Sequence, residues 1–292
     1  MERAGPSLAT AVATAGVLTL VLLGVESPAG AAAPRAVSLQ ADFQTTMAAG
    51  TAKESFDETV TSGAEHVMVC GSGVSNTEGT DGSFNFSAAG SAFQIVLSGP
   101  TLYLEAPTSA RAGLGVTTPW ISLDLGALTS AKLGASYESL VTDGQQSPSH
   151  QLGILEDNSI SGVTDLGTKS LHGVPTTGYR VTIDPARMAR AEGTPTTVAS
   201  YVQREMASLG VTSVPVSAWV DRAGRVRELV EQVTVPATTT RPSVSIDATI
   251  QVYDFGVAVA PSVPTASLVT DVTAQAIAGS TAQAIAASTA RR

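Results

Sequence analysis

Residues 243–253, Ser-Val-Ser-Ile-Asp-Ala-Thr-Ile-Gln-Val-Tyr, alternate between polar and apolar side chains. The apolar side chains share one face: Val244, Ile246, Ala248, Ile250 and Val252. The polar residues between them face the other way. A period of two is typical of a β-strand with one face in a core and one face in water. This stretch therefore predicts an antiparallel β-sheet.

The preceding segment predicts a hairpin of the same sheet. Residues 214–220 and 226–235 are rich in valine and flank Asp221-Arg222-Ala223-Gly224. Glycine adopts the left-handed conformation that closes tight hairpin turns without steric cost. We expect two adjacent antiparallel strands joined at Gly224.

A meander of short strands is predicted nearer the N-terminus. Its strands span residues 65–71, 83–87, 92–98 and 101–104, with turns at 79–82 and at Gly99-Pro100. Each strand carries apolar residues on alternate positions, and Gly and Pro supply the turns. Further strands are predicted at 159–166 and 179–184.

Helical spacing of apolar residues appears in three other places. Residues 37–56 predict a helix, interrupted at Gly50-Thr51, and residues 196–209 predict another. Residues 126–157 predict two short helices separated by a loop. Residues 273–292 form an Ala-rich, low-complexity tail with two copies of an eight-residue unit, fewer than a solenoid needs.

The N-terminus has the parts of a secretory signal. Arg3 lies in a short head, residues 8–25 are apolar and uncharged, and residues 31–33 are a small-residue cleavage site. Residues 1–33 are therefore predicted to be a cleaved signal peptide, with an uncleaved membrane anchor as the alternative. The single cysteine, Cys70, lies far from the signal, so the lipid-accepting cysteine of a bacterial lipoprotein is missing and no internal disulfide can form. Cys70 itself is expected to be a buried, small apolar residue in a strand, and a reactive thiol is the alternative.

Composition and motifs argue against several classes of function. The net charge is −9 without a basic run, which argues against nucleic acid as a partner. His66, His150 and His172 lie in three separate segments without metal-ligand spacing, and the acidic residues are expected to be solvated. Gly71-Ser72-Gly73 lacks the third glycine of a dinucleotide-binding loop. We predict a protein that is not an enzyme and has no cofactor and no metal.

Four segments in order resemble the LppX/LprG family of actinobacterial envelope lipoproteins and, more distantly, the LolA carriers. The segments are 119–123 with Trp120, 173–184, 214–227 with Trp219, and Tyr253-Asp254-Phe255-Gly256. The resemblance covers residues 37–272. The chain departs from that family in its Ala-rich tail and in its missing anchoring cysteine, which argues against a lipid anchor and favours a soluble carrier or one held by its uncleaved signal.

The resemblance implies an α+β fold, a single curved antiparallel half-barrel sheet with helices covering its concave face. In the family this arrangement encloses an apolar cavity for acyl chains. Burial of an acyl chain yields about 0.8 kcal/mol per methylene, so binding needs little polar chemistry. Fourteen apolar residues are candidates for the cavity wall: Val67, Val69, Phe84, Phe86, Phe93, Ile95, Leu97, Leu102, Leu104, Val181, Ile183, Ile246, Ile250 and Val252.

Two functions fit this sequence best, and a hydrolase with a Ser, His and Asp triad from distant segments is a third alternative. The first is a secreted, monomeric carrier of lipids or acylated molecules in the cell envelope. The second is a protein-interaction or sensor module on the same fold with a filled cavity. The alternation does not distinguish a cavity from a solid core, and Trp120 and Trp219 fit packing anchors as well as ligand contacts.

Overall fold

In a computed structural model, described residues are 39–77, 79–88, 91–108, 111, 115–130, 160–184, 209–239 and 242–278. They form one curved, unclosed sheet of twelve strands in the order β12-β6-β5-β4-β3-β2-β1-β11-β10-β9-β8-β7. All neighbouring pairs are antiparallel except β12 and β6, which are parallel. The predicted fold class, an α+β chain with one curved sheet, is confirmed.

The strands have the following bounds: β1 Thr51–Ser62, β2 Glu65–Asn76, β3 Asp81–Ala88, β4 Ser91–Ser98, β5 Thr101–Glu105, β6 Trp120–Asp124, β7 Ile160–Leu171, β8 Val174–Ile183, β9 Val214–Asp221, β10 Val226–Val235, β11 Val244–Tyr253 and β12 Val269–Asp271. Two helices have complete described bounds, α1 Leu39–Met47 and α2 Leu125–Ser130, and residues 273–278 are also helical. Residues 266–268 form a short 3-10 helix.

The strongest sequence patterns gave the right elements. The strand predicted at 243–253 is β11, and the predicted hairpin is β9–β10 with Gly224 at a φ of 74°. Asp221 closes this turn, because its Oδ1 accepts hydrogen bonds from the backbone N–H groups of Ala223 (2.8 Å) and Arg225 (3.0 Å). The predicted meander corresponds to β2–β5, and β2 extends five residues beyond its predicted end.

The helix predicted over residues 37–56 is wrong in its second half. Helix α1 ends at Met47, and Gly50 follows with a φ of 78°, a conformation common after helix ends. Strand β1 begins at Thr51, because residues from Thr51 onward pair with β2 and those from Lys53 onward also pair with β11. This added strand lies at the centre of the sheet.

Several predicted segments lie wholly or largely outside the described residues. They are the signal peptide at 1–33, most of the two helices over 126–157, the helix over 196–209 and most of the tail at 273–292. Within the described part, α2 lies at the start of the first of these helical regions. None of the described helices is long and apolar enough to span a membrane.

The main core lies between α1 and the strands β8–β11. Leu39 and Phe43 of α1 pack with valine, leucine and isoleucine side chains of these strands. Thr46 of α1 accepts a hydrogen bond at Oγ1 from the Val226 backbone N–H, at 2.8 Å. The Thr77 hydroxyl donates to the Met47 carbonyl at 2.7 Å, so α1 bridges the end of β2 and the β9–β10 hairpin.

Candidate functional site

All fourteen predicted wall residues lie on one face of the sheet, which we call the inner face. Residues that pair directly across an antiparallel ladder point to the same side. One row runs Leu104–Ile95–Phe84 from β5 to β3, and another runs Val67–Val60–Ile246 from β2 to β11. The same pairing places Val181 and Ile183 on this side through β9 and β10. That these residues line a ligand cavity remains a prediction.

Burial divides the inner face into two zones. Where β8–β11 pack beneath α1, the inner side chains are almost fully enclosed, and Leu229 and Val252 are 0% exposed. Eight of the predicted fourteen residues are buried: Val67, Phe84, Leu97, Val181, Ile183, Ile246, Ile250 and Val252. Five of them, on β8 and β11, belong to the core cluster beneath α1, and the other three are buried on β2–β4.

On β1–β6 the inner face also contains a set of apolar side chains that are only half-buried. We call it the floor and define it by eight side chains: Phe56, Val69, Phe86, Phe93, Ile95, Leu102, Leu104 and Leu123. Six of them are among the predicted wall residues. Phe56 and Leu123 were missed, because residue 56 was assigned to a helix and residue 123 was not considered as wall. The floor is a continuous apolar surface that the described protein does not fully cover.

Two glycines give the floor its aromatic centre. A Cβ atom at Gly71 would meet Phe86 Cδ1 at 2.5 Å, and one at Gly73 would meet Phe84 Cδ1 at 2.5 Å. The two phenylalanine rings therefore lie across β2 where it has no side chains. The Phe86 ring centroid lies 5.1 Å from that of Phe56 and 5.5 Å from that of Phe93. The two glycines thus leave the space that the phenylalanine rings occupy.

Three carboxyl groups interrupt the apolar inner face. Glu54 and Glu58 lie on β1, and Glu231 lies on β10. Glu54 is fully buried and accepts a hydrogen bond from the Ser75 hydroxyl at 2.5 Å. Glu58 and Glu231 flank Ala248 in one row across β1, β11 and β10.

Glu231 has an unusual environment. The residue is 2% exposed, and its Oε1 has no hydrogen-bond partner among the described residues. Burial, together with the charge of Glu58, raises the pKa of Glu231 to about 8. Glu231 is therefore mostly a neutral carboxylic acid at pH 7.

The expectation that acidic residues are solvated is wrong for several of them. Besides Glu54 and Glu231, both Asp221 and Glu228 are buried. Glu228 pairs with Lys169 and accepts a hydrogen bond from Gln251 at 2.8 Å, on the face opposite the floor. Strand pairing, which the sequence alone does not specify, places these carboxylates inside.

The outer face carries the residues that sequence motifs emphasised. Trp219 covers Gly178, and the Lys169 ammonium lies 4.0 Å from the centre of the Trp219 ring. Trp120 is also on the outer face, since its neighbour Ile121 pairs with the inner Leu104. Both tryptophans are thus directed away from the floor.

The histidines and the cysteine lie apart from one another. His172 occupies the β7–β8 turn, stacks on Tyr253 at 4.0 Å between ring centres, and bonds Gln251 through Nε2 at 2.9 Å. His66 is exposed at the start of β2, and His150 lies outside the described residues. Cys70 is a free, half-buried thiol on the outer side of β2. No group of three or more metal-ligating side chains occurs within the described ranges.

Comparison with known proteins gives structural neighbours only. No protein-family profile and no curated protein matches the chain. The Mycobacterium tuberculosis lipoprotein LppX is similar over 76% of this chain and 98% of its own, with a TM-score of 0.40 and 11% identity. LprF from Mycobacterium bovis is similar over 82% of this chain and 100% of its own, with a TM-score of 0.40 and 14% identity.

A more distant neighbour is a LolA superfamily protein from Nitrosomonas europaea. The match covers 75% of this chain and 93% of that protein, with a TM-score of 0.26 and 9% identity. These neighbours include LppX and a LolA-type protein, the two groups that the sequence resembles. At these identities the likeness concerns the fold alone.

Proposed function

We propose that this protein is an extracytoplasmic, non-catalytic carrier that binds lipids or lipidated molecules on the floor of the inner face. The observation that supports this most strongly is the incomplete burial of eight apolar side chains on the same side of six adjacent strands. A sheet face that meets only water normally carries polar residues at such positions. An apolar ligand gives these side chains a partner.

The dimensions of the floor fit a long acyl chain. Neighbouring strands lie about 4.8 Å apart, so the five spacings from β1 to β6 span about 24 Å. Each methylene removed from water contributes about 0.8 kcal/mol. A chain laid across the floor therefore binds through its area, without a reacting group or a bound ion.

Each end of the floor borders a packed apolar cluster. At one end, Leu104 and Leu123 pack on Ala106, Val116, Ile121 and Val272. At the other end, Phe56 packs against the main core.

Export rests on the predicted signal peptide, residues 1–33. The carrier is proposed to be free of the membrane after cleavage near Ala33. N-terminal sequencing of the mature protein tests this directly: a start near residue 34 supports release, and an intact Met1 supports a retained anchor.

A pair of neighbouring substitutions tests the floor as the binding surface. Leu102 points to the inner face and Tyr103 to the outer face of β5, and both are half-buried. Leu102→Ser removes an apolar side chain worth about 1.5–3 kcal/mol when fully covered. We expect it to weaken binding of a fluorescent long-chain acylglycerol about tenfold or more, whereas Tyr103→Ser changes binding by less than about twofold.

Circular dichroism of both variants establishes that they fold. Equal effects of the two substitutions on probe affinity would place the ligand elsewhere. If the wild-type protein binds no probe, the carrier function itself is excluded.

A further inference from the structure

Glu231 is a buried acid enclosed by apolar side chains. On its own strand Leu229 and Val233 share its face, and its cross-strand partners are Val216 on β9 and Ala248 on β11. All four of these residues are buried. Among the described residues, none bonds to its Oε1.

The other buried carboxylates of the described chain have donors. Asp221 accepts hydrogen bonds from two backbone N–H groups and two arginine side chains. Glu228 has Lys169 and Gln251, and Glu54 has Ser75. A buried polar atom without a partner costs about 1–3 kcal/mol and calls for an explanation.

A single cross-strand row links Glu231 to the floor. It runs from Glu231 through Ala248 and Glu58 to Val69, over about three strand spacings, or about 14 Å. Ala248 contributes only a methyl group to this row. Glu231 and Ala248 are buried, so a ligand on the floor reaches the Glu231 carboxyl by entering the packed zone along this row.

We propose that Glu231 is the polar recognition point of the ligand site, and that its Oε1 accepts a hydrogen bond from a hydroxyl group of the bound lipid. This inference rests on the proposed carrier function and narrows it to a hydroxylated, uncharged amphiphile. Residues from β1, β9, β10 and β11 face Glu231, and Glu58 is the only charged group among these row neighbours.

The charge of the site favours a neutral ligand group. Glu58 repels an anionic headgroup, and a buried ammonium group would lose its hydration in apolar surroundings. Glu231 is itself mostly protonated at neutral pH, because burial and Glu58 raise its pKa. A protonated carboxyl has one donor and acceptor oxygens, which complement a hydroxyl group.

Two ligands of equal chain length separate this inference from the carrier function. Dodecanol donates a hydrogen bond, whereas dodecyl methyl ether only accepts one. Displacement of a fluorescent acyl probe from the full mature protein measures both. We expect dodecanol to bind wild type about tenfold more tightly than the ether.

Three variants test whether Glu231 causes the preference for dodecanol. Glu231→Leu should reduce the dodecanol-to-ether ratio to about one, chiefly by weakening dodecanol binding. Glu231→Gln should keep the preference, since its amide oxygen accepts the same bond. Thr234→Leu, on the outer face of the same strand and exposed, is the matched control and should change nothing.

The outcomes are distinct. A wild-type ratio near one, or a preference that survives in Glu231→Leu, overturns the inference while probe binding still supports a carrier. If neither ligand nor the probe binds wild type, both proposals fail. Should Glu231→Leu not fold, infrared spectroscopy of wild type decides: the protonated carboxyl band absent from Glu231→Gln must shift with dodecanol and not with the ether.

Discussion

Replacement of Glu231 by glutamine should change how the stability of the protein depends on pH. The pKa of Glu231 rises from an ordinary 4.5 to about 8 in the folded protein, because of burial and the charge of Glu58. Between these values the folded protein holds a proton that the unfolded chain releases. The contribution of this group to stability is therefore full below pH 4.5 and is lost as pH rises through 8.

The size of the effect follows from the two pKa values. Each pH unit inside the window changes the free energy of unfolding by about 1.4 kcal/mol. From pH 4.5 to 8 the loss is on the order of 5 kcal/mol, and by pH 7 about 3 kcal/mol of it has occurred. Glutamine does not titrate, so Glu231→Gln lacks this loss.

Urea denaturation at intervals from pH 4.5 to 9 measures the effect. The difference in the free energy of unfolding, variant minus wild type, should grow with pH and level off above pH 8. Asp42, whose pKa burial and Asp221 raise to about 6, titrates in both proteins and cancels in the difference.

Glu58→Gln is the matched control for the charge contribution. It removes one cause of the raised pKa and should move the pH window of Glu231 downward. Parallel stability profiles of wild type and Glu231→Gln would refute the reasoning, because they would mean that Glu231 is charged in the folded protein at neutral pH.

Two further substitutions test the packing and the charged hairpin. Gly71→Ala places a Cβ 2.5 Å from the Phe86 ring and should lower the free energy of unfolding by about 1–3 kcal/mol in urea titrations. The control is Ser72→Ala on the exposed side, which should change this free energy by less than about 0.5 kcal/mol. Equal effects of the two substitutions would contradict the ring packing. Burial alone raises the pKa of Asp221, but donors from Arg225, Arg227 and the turn backbone outweigh it and hold the pKa below its ordinary value. Asp221→Asn should therefore lower the free energy of unfolding by about 3 kcal/mol at pH 7. This difference from wild type should shrink as pH falls below about 4, since the wild type then loses the same charge. A difference that is independent of pH down to 2 would contradict this.

Local sequence patterns were sufficient for much of the fold. The alternation of residues 243–253 and the glycine at 224 are short-range signals, and both gave the right element. They also predicted correctly which side chains share a face, because the period of a strand is fixed. The register that joins fourteen such residues into one face is a long-range property and was not predicted.

The missed features depend on contacts between distant segments. Residues 51–56 continue the apolar spacing of α1, and only pairing with β2 and β11 makes them a strand. In the sequence around Glu231, polar and apolar residues are mixed as in a strand with one solvated face, so the pattern does not predict that Glu231 is buried. Its burial follows from packing of β10 between β9 and β11 with apolar residues around it.

The sequence also did not predict which inner-face side chains are fully buried and which are only half-buried. Leu97 and Ile95 are two residues apart on the same face of β4, yet one is fully buried and the other is half-exposed. Both side chains are branched, apolar and of the same size, so the difference in burial depends on what covers each of them. The distinction between a packed interior and the floor therefore emerges only in three dimensions.

The most direct test of the carrier function is mass spectrometry of organic extracts from the mature protein, purified from its host without detergent. The floor predicts about one long-chain lipid per protein molecule, with Leu102→Ser carrying less than Tyr103→Ser. Protein that carries no lipid and takes up no acyl probe would contradict the account.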